Sequence, residues 1–181
     1  MLNRSSAVSI FWLLVCIVFI HSTPVLAAND DYVLATGDVV KVKVYQEEDL
    51  SLSTTIDSSG TIEFPLLGEI NLAGMTLDEA EAHIDKLLRG DYLINPQVSV
   101  TIEKYRSFYI AGAVRKPGYY EYKPGMTART AIAIAGDFTK LASRRKVYII
   151  RAGDKNFKEE KHGLDVTIGP GDTIRIKESL F

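Results

Sequence analysis

The sequence is poor in the residues that carry most metal and redox chemistry: it has one cysteine and three histidines among 181 residues. A lone cysteine excludes an intrachain disulfide framework and a multi-cysteine zinc site. Net charge is also scarce. Twenty-one Lys and Arg against 23 Asp and Glu leave a formal charge of −2, which argues against a broadly basic nucleic-acid binder. Tryptophan occurs once, and there is no low-complexity stretch or long linker. The length fits one domain or two small ones and suffices to bury a core.

Long hydrophobic runs are scarce too, with one exception. Residues 8–20 are almost unbroken apolar sequence, preceded by Arg4 and followed by Pro24-Val25-Leu26-Ala27-Ala28. A positive start, a short apolar stretch and small residues at the end predict a secretory signal peptide cleaved after Ala27. An uncleaved anchor is the alternative, but the run is short for a spanning helix of about 20 residues. Lipidation at Cys16 is disfavoured, because Val15 precedes it and it lies in the middle of the run. Cleavage removes the only Cys and the only Trp.

The remaining chain, residues 28–181, reads as alternating strands with two helices. Val39–Tyr45 alternates as a half-buried strand. Gln46-Glu47-Glu48-Asp49 reads as an acidic loop. Ser53–Asp57 and Thr61–Phe64 read as two arms of a hairpin about Ser58-Ser59-Gly60, with Leu66–Leu72 as a further strand. Thr76-Leu77-Asp78-Glu79 is a capping box that opens a helix, whose apolar face is Leu77, Ala80, Ile84, Leu87 and Leu88, and Gly90 ends it. Strands follow at 97–103 and 108–111. Arg115-Lys116-Pro117-Gly118 is a turn and Tyr119–Tyr122 returns. A second helix is expected over 128–135, then strands at 146–151 and 173–177 around a charged loop at 153–163.

Two short patterns recur. Ala73-Gly74-Met75-Thr76 and Pro124-Gly125-Met126-Thr127 each open a helix after a β-rich stretch. Gly37-Asp38-Val39-Val40-Lys41-Val42 recurs as Gly171-Asp172-Thr173-Ile174-Arg175-Ile176. The pattern predicts two tandem β-plus-helix modules with a boundary near Lys104–Arg106.

Catalytic signatures do not stand out. There is no Gly-x-Ser-x-Gly elbow, P-loop or Gly-x-Gly-x-x-Gly fingerprint. His83 and His162 lack a partner at a ligand spacing, so no metal, cofactor or catalytic residue is assigned. Paired carboxylates can cleave glycosides, but Glu47, Glu48 and Asp49 read as a solvated loop. Asp38 and Asp172 read as turn residues whose carboxylates accept local backbone N–H bonds. Tyr119, Tyr120 and Tyr122 cluster near Arg115 and Lys116, an arrangement that can hold sugars or acidic glycans. Ordinary β composition also explains the tyrosines. Arg144, Arg145 and Lys146 form a basic run, either a solvated loop or a subunit or glycan contact. The candidate contact residues are therefore Arg115, Lys116, Tyr119, Tyr120, Arg144 and Arg145.

Several motifs together carry a resemblance. Leu34-Ala35-Thr36-Gly37-Asp38-Val39-Val40-Lys41-Val42, Asp49-Leu50-Ser51, Gly60-Thr61-Ile62, Phe64-Pro65-Leu66-Leu67-Gly68-Glu69-Ile70, Ala73-Gly74-Met75-Thr76 and Asn95-Pro96-Gln97-Val98-Ser99-Val100 resemble the export domain of Wza-like polysaccharide export proteins. Ile110-Ala111-Gly112-Ala113-Val114, Lys116-Pro117-Gly118-Tyr119-Tyr120, Thr130-Ala131-Ile132, Ile134-Ala135-Gly136, Ile149-Ile150-Arg151 and Gly169-Pro170-Gly171-Asp172-Thr173-Ile174 resemble the soluble-ligand-binding β-grasp (SLBB) domain that follows in that family.

The resemblance covers about residues 33–181. It implies an α+β fold of two small tandem modules, the second β-grasp-like, each with a mixed sheet and one main helix. The expected division is a signal peptide at 1–27, an export domain at 28–104 and an SLBB domain at 105–181. It further implies a periplasmic, outer-membrane-associated homo-oligomeric ring that conducts capsule or exopolysaccharide. Its implied partners are an inner-membrane polysaccharide co-polymerase and no nucleic acid. Larger members add β-grasp domains, a lipidated cysteine and a C-terminal amphipathic helix. This sequence is expected to be a short form that works with a separate outer-membrane β-barrel. The competing expectations are a soluble periplasmic glycan- or ligand-binding module that forms no ring, a structural envelope protein, and a polysaccharide-modifying enzyme.

Overall fold

A computed structural model describes residues 32–179. The apolar run at 8–20, Cys16 and the cleavage site expected after Ala27 lie outside the described residues. Strand β1 (Val39–Val44) buries Val40, Val42 and Val44 and turns Lys41 and Lys43 to solvent, as the alternation dictates. It folds back through Tyr45 and Gln46 into β2 (Glu47–Thr55). Gln46 takes a positive φ of 63°, which permits the tight reversal.

Glu47–Asp49 therefore start a strand and are not the expected loop. Because β2 is the edge of its sheet, these carboxylates stay in water while the backbone pairs with β1. The expected hairpin also differs. β3 (Thr61–Phe64) pairs with β4 (Gly68–Asn71), not with β2. Asp57 closes the intervening turn by accepting the N–H groups of Ser59 and Thr61, both at 2.9 Å. That turn carries the chain out of the first sheet.

Helix α1 (Leu77–Leu88) has the full capping box. Thr76 Oγ1 accepts from Glu79 N–H at 3.2 Å, and Glu79 Oε2 accepts from Thr76 N–H at 2.9 Å. Ala80, Ile84 and Leu88 are buried, whereas Leu87 is partly exposed. Strand β5 (Val98–Lys104) completes the antiparallel sheet β2-β1-β5. The N–H of Val100 donates to Glu81 of α1 at 2.8 Å, so the helix satisfies a donor on the sheet's other edge. Val40, Val42, Ile56, Ile62, Phe64, Leu72, Ile84, Leu88 and Val100 share one core.

The second core is separate. Strands β6 (Phe108–Gly112) and β7 (Gly118–Tyr120) form a hairpin, followed by helix α2 (Ala128–Ile134), β8 (Val147–Ile150), β9 (Glu160–His162) and β10 (Thr173–Ile176). The sheet order is β7-β6-β10-β8-β9. β10 lies parallel to β6, the only parallel ladder between strands among the described residues. Ladders in the first module are antiparallel. Strand β9 sits inside the stretch expected to be a charged loop. It too is an edge strand, so its charged side chains remain solvated.

One face of the five-stranded sheet holds Phe108, Ile110, Val147, Ile149, Ile174 and Ile176 against Ala128, Ala131 and Ile132 of α2. The alanines let the short helix lie close to the sheet. The fold is thus α+β in two tandem modules, the second with β-grasp topology. Among the described residues no helix is long and apolar enough to cross a membrane.

Candidate functional site

The two Gly-Asp patterns fold into matching knots. Asp38 Oδ2 accepts from Ala35 N–H (2.9 Å), Tyr32 Oη (2.7 Å) and Arg106 Nη1 (3.2 Å), and its Oδ1 accepts from Arg106 N–H (2.8 Å). Asp172 Oδ2 accepts from Gly169 N–H (2.7 Å) and Arg151 Nη1 (2.7 Å), and its Oδ1 accepts from Ala152 N–H (2.9 Å). Each aspartate thus binds the N–H three residues back, a second backbone N–H and one guanidinium. Both are buried. A buried carboxylate needs such partners to offset its desolvation. The local turn role expected for both residues is present, and the arginines are an addition that sequence alone did not reveal.

The knots meet at the module junction. A Cβ at Gly171, where φ is +83°, would lie 2.7 Å from Arg106 Nε. Tyr32, Tyr105 and Tyr122 stack edge to face across the junction, with centroids 5.1 and 5.5 Å apart. Burial, then the bond to Asp38, holds the Tyr32 phenol well above its ordinary range. Beside the knots lies a cleft of about 680 Å³ that includes Val33, Arg106, Arg151 and Phe157. Its two guanidinium groups are already paired with Asp38 and Asp172. The cleft is therefore a joint more than a poised anion site.

The open side of the second sheet is chemically richer. Residues paired across strands share a face. One row runs Tyr119–Tyr109–Thr173–Ile150, and the next runs Ala111–Arg175–Tyr148–Lys161. Tyr109 and Tyr119 have centroids 4.8 Å apart, tilted at 49°, and Tyr119 is 77% exposed. Lys177 Nζ lies 3.8 Å from the Tyr148 ring centroid. Glu159 takes Arg175 Nη1 at 2.7 Å and Lys177 Nζ at 3.3 Å. Lys161, first through a side-chain hydrogen bond and then through its charge, holds the neighbouring Lys146 below the ordinary lysine range.

The expected contact residues do not form one cluster. Tyr119 and Tyr120 are adjacent on a strand and so face opposite ways. Tyr119 joins the open face, whereas Tyr120 stacks on Phe108 of the core and donates to Lys116 O at 2.5 Å. Arg115 and Lys116 are exposed on the β6–β7 connection, with backbone N–H groups bound to Asp137 O and Ala135 O. Arg144 and Arg145 are exposed just before β8, three strands away from Tyr119 in the sheet. Their segment runs beside Lys177, whose carbonyl accepts from Ser143 N–H at 2.9 Å.

Tyr109, Tyr148, Lys161, Arg175 and Lys177 escaped sequence reasoning. The alternation in Lys146–Ile150 and Thr173–Lys177 was the signal that could have placed Tyr148, Arg175 and Lys177 on one face. A broad trough of about 840 Å³ along Lys41, Lys43, Ser51, Ser53 and Ser99 marks the solvent side of the first sheet. Among the described residues no group of three or more His, Cys, Asp and Glu is placed to hold a metal.

Residues 26–103 match the polysaccharide biosynthesis/export protein family, and residues 107–159 match the SLBB domain. The exopolysaccharide production protein ExoF of Rhizobium meliloti is 25% identical over 178 residues, covering 86% of this chain and 42% of the relative. The polysialic acid transport protein KpsD of Escherichia coli is 23% identical over 155 residues, 84% of this chain and 25% of the relative. The EPS I polysaccharide export outer membrane protein EpsA of Ralstonia nicotianae is 26% identical over 191 residues, 86% and 49% respectively. The chain thus spans between a quarter and about half of the length of these relatives.

Proposed function

Because the chain belongs to the polysaccharide biosynthesis/export proteins, with an SLBB domain following the export domain, we propose that it is a component of a capsular or exopolysaccharide export machine. The observation that carries this reading is the open, five-stranded sheet face of the second module. It carries the Tyr109 and Tyr119 rings at one edge and Arg175, Lys177 and Lys161 further along the same face. Such a surface can hold a carbohydrate by ring stacking and hydrogen bonds without cleaving it.

In this reading the protein works in the periplasm against the outer membrane, secreted by a cleaved signal peptide. Identical copies close into a ring through one repeated heterologous interface. The exposed Leu66, Tyr92 and Ile94 at one end of the first module supply apolar surface that a second copy would cover. The inner-membrane co-polymerase hands the polymer to the ring, and a separate outer-membrane β-barrel completes the path. Arg115, Lys116, Tyr119, Tyr120, Arg144 and Arg145 are proposed as glycan or subunit contacts, with Tyr120 acting through the Lys116 turn that it braces.

Deletion of the gene, with surface and periplasmic polysaccharide measured separately, tests this. Loss of surface polymer with periplasmic accumulation is expected, and unchanged surface polymer would overturn it.

A further inference from the structure

The positive charge of this acidic chain is not spread evenly. Four cations, Lys146, Lys161, Arg175 and Lys177, converge on the β8-β9-β10 side of the open sheet face, and Arg144 and Arg145 flank them. Among the described residues one carboxylate, Glu159, serves both Arg175 and Lys177. Ordinary surfaces intersperse the two signs. Here Lys146 and Lys161 are instead direct neighbours, and among the described residues neither is ion-paired to a carboxylate.

The shape of the patch suits a polymer. The rings of Tyr119 and Tyr109 stand at one edge of the sheet, Arg175 follows at its centre, and Lys177 over Tyr148 and then Lys161 lie toward the other edge. At ~4.8 Å per strand, the path from β7 to β9 is about 19 Å long, room for several sugars of an extended chain. The rings lie at one end and most of the cations at the other, so a ligand with both sugar faces and repeated negative charge satisfies the whole length.

We propose that this face is a docking track for an anionic polysaccharide bearing carboxylates along its chain, in which Arg175, Lys161 and Lys177 meet the carboxylates and Tyr109 and Tyr119 the pyranose faces. This deepens the export reading by naming the chemistry of the cargo, and it rests on that reading. Glu159 occupies in the free protein the position that a ligand carboxylate takes when bound.

The test is calorimetric titration of the purified full-length chain with oligogalacturonate, with a neutral malto-oligosaccharide and phosphatidylglycerol vesicles as comparisons. Oligogalacturonate should bind, more weakly as salt rises, and the neutral oligomer should bind at least tenfold more weakly. The paired change Lys161→Gln with Arg175→Gln should weaken binding at least tenfold. Glu159→Gln should tighten it severalfold, a gain that loss of folding cannot imitate. The proposal is overturned if oligogalacturonate does not bind or binds no better than the neutral oligomer. It also fails if the charge variants leave affinity unchanged, or if only the vesicles bind. A negative titration beside a positive gene-deletion result would remove the anionic track and leave the export role standing.

Discussion

At the residue scale the decisive groups are the two buried aspartates. Asp38 has a side chain with no solvent exposure, and its guanidinium partner is 21% exposed. Removing one member of such a pair leaves the other uncompensated. Asp38→Ala should therefore cost about 3–5 kcal/mol in urea unfolding, and Asp38→Asn, which keeps one acceptor oxygen, should cost less. Asp57 gives a pH test of opposite character. Bonds from the Ser59 hydroxyl first, and then from the Thr61 N–H, lower its pKa from 3.8 to about 2. A depressed carboxylate binds its proton more tightly in the unfolded chain. Its contribution to stability is thus complete above about pH 4 and disappears as pH falls through about 2. A carboxyl carbon titration should show the low midpoint, and Ser59→Ala should move it up toward the ordinary value. No upward movement would show that the hydroxyl does not hold the charge.

At the element scale the strongest devices are local. Thr76→Ala removes the acceptor that caps α1 and should cost about 1 kcal/mol, seen as a lower unfolding midpoint. Gly112 carries the reverse lesson. With φ at +87° it ends β6, and a Cβ there would stand 2.0 Å from Ile176 O. Gly112→Ala should open the β6–β10 ladder, and faster amide exchange at Tyr109, Ala111 and Ala113 would report it. The capping box, the α1 face and the alternating strands were legible because period and caps are written in adjacent residues. The acidic start of edge strand β2 and the whole of β9 were not legible, because solvated edges carry the same charges as loops. Strand pairing was also hidden, since the partner of Thr61–Phe64 depends on where the Asp57 turn sends the chain. The same limit explains the site. Tyr119 was visible and Tyr109 pairs with it in the local β6–β7 hairpin, but Arg175 and Tyr148 join that face only through β10, which enters the sheet between β6 and β8.

At the scale of the whole molecule the question is what makes two cores one body. The answer lies in Arg106, which belongs to the first knot by its bonds to Asp38 and touches the second through Gly171. The aromatic chain Tyr32–Tyr105–Tyr122 crosses at the same place. Gly171→Ala separates this coupling from simple backbone strain. A Cβ at Gly171 would collide with Arg106 Nε at 2.7 Å and meet Ala152 Cβ at 3.0 Å. The guanidinium would have to leave Asp38, and the modules would lose their shared contact. Gly153 is the matched control: its φ is +84°, but a Cβ there meets open space. Gly153→Ala should cost only the strain of the left-handed conformation, roughly 1–2 kcal/mol. Calorimetry of the parent chain should show one cooperative transition. Gly153→Ala should shift that transition without dividing it. Gly171→Ala should split it in two, the first module melting apart from the second. Equal behaviour of the two variants would mean that the knots stabilise each module by itself and do not transmit load between them.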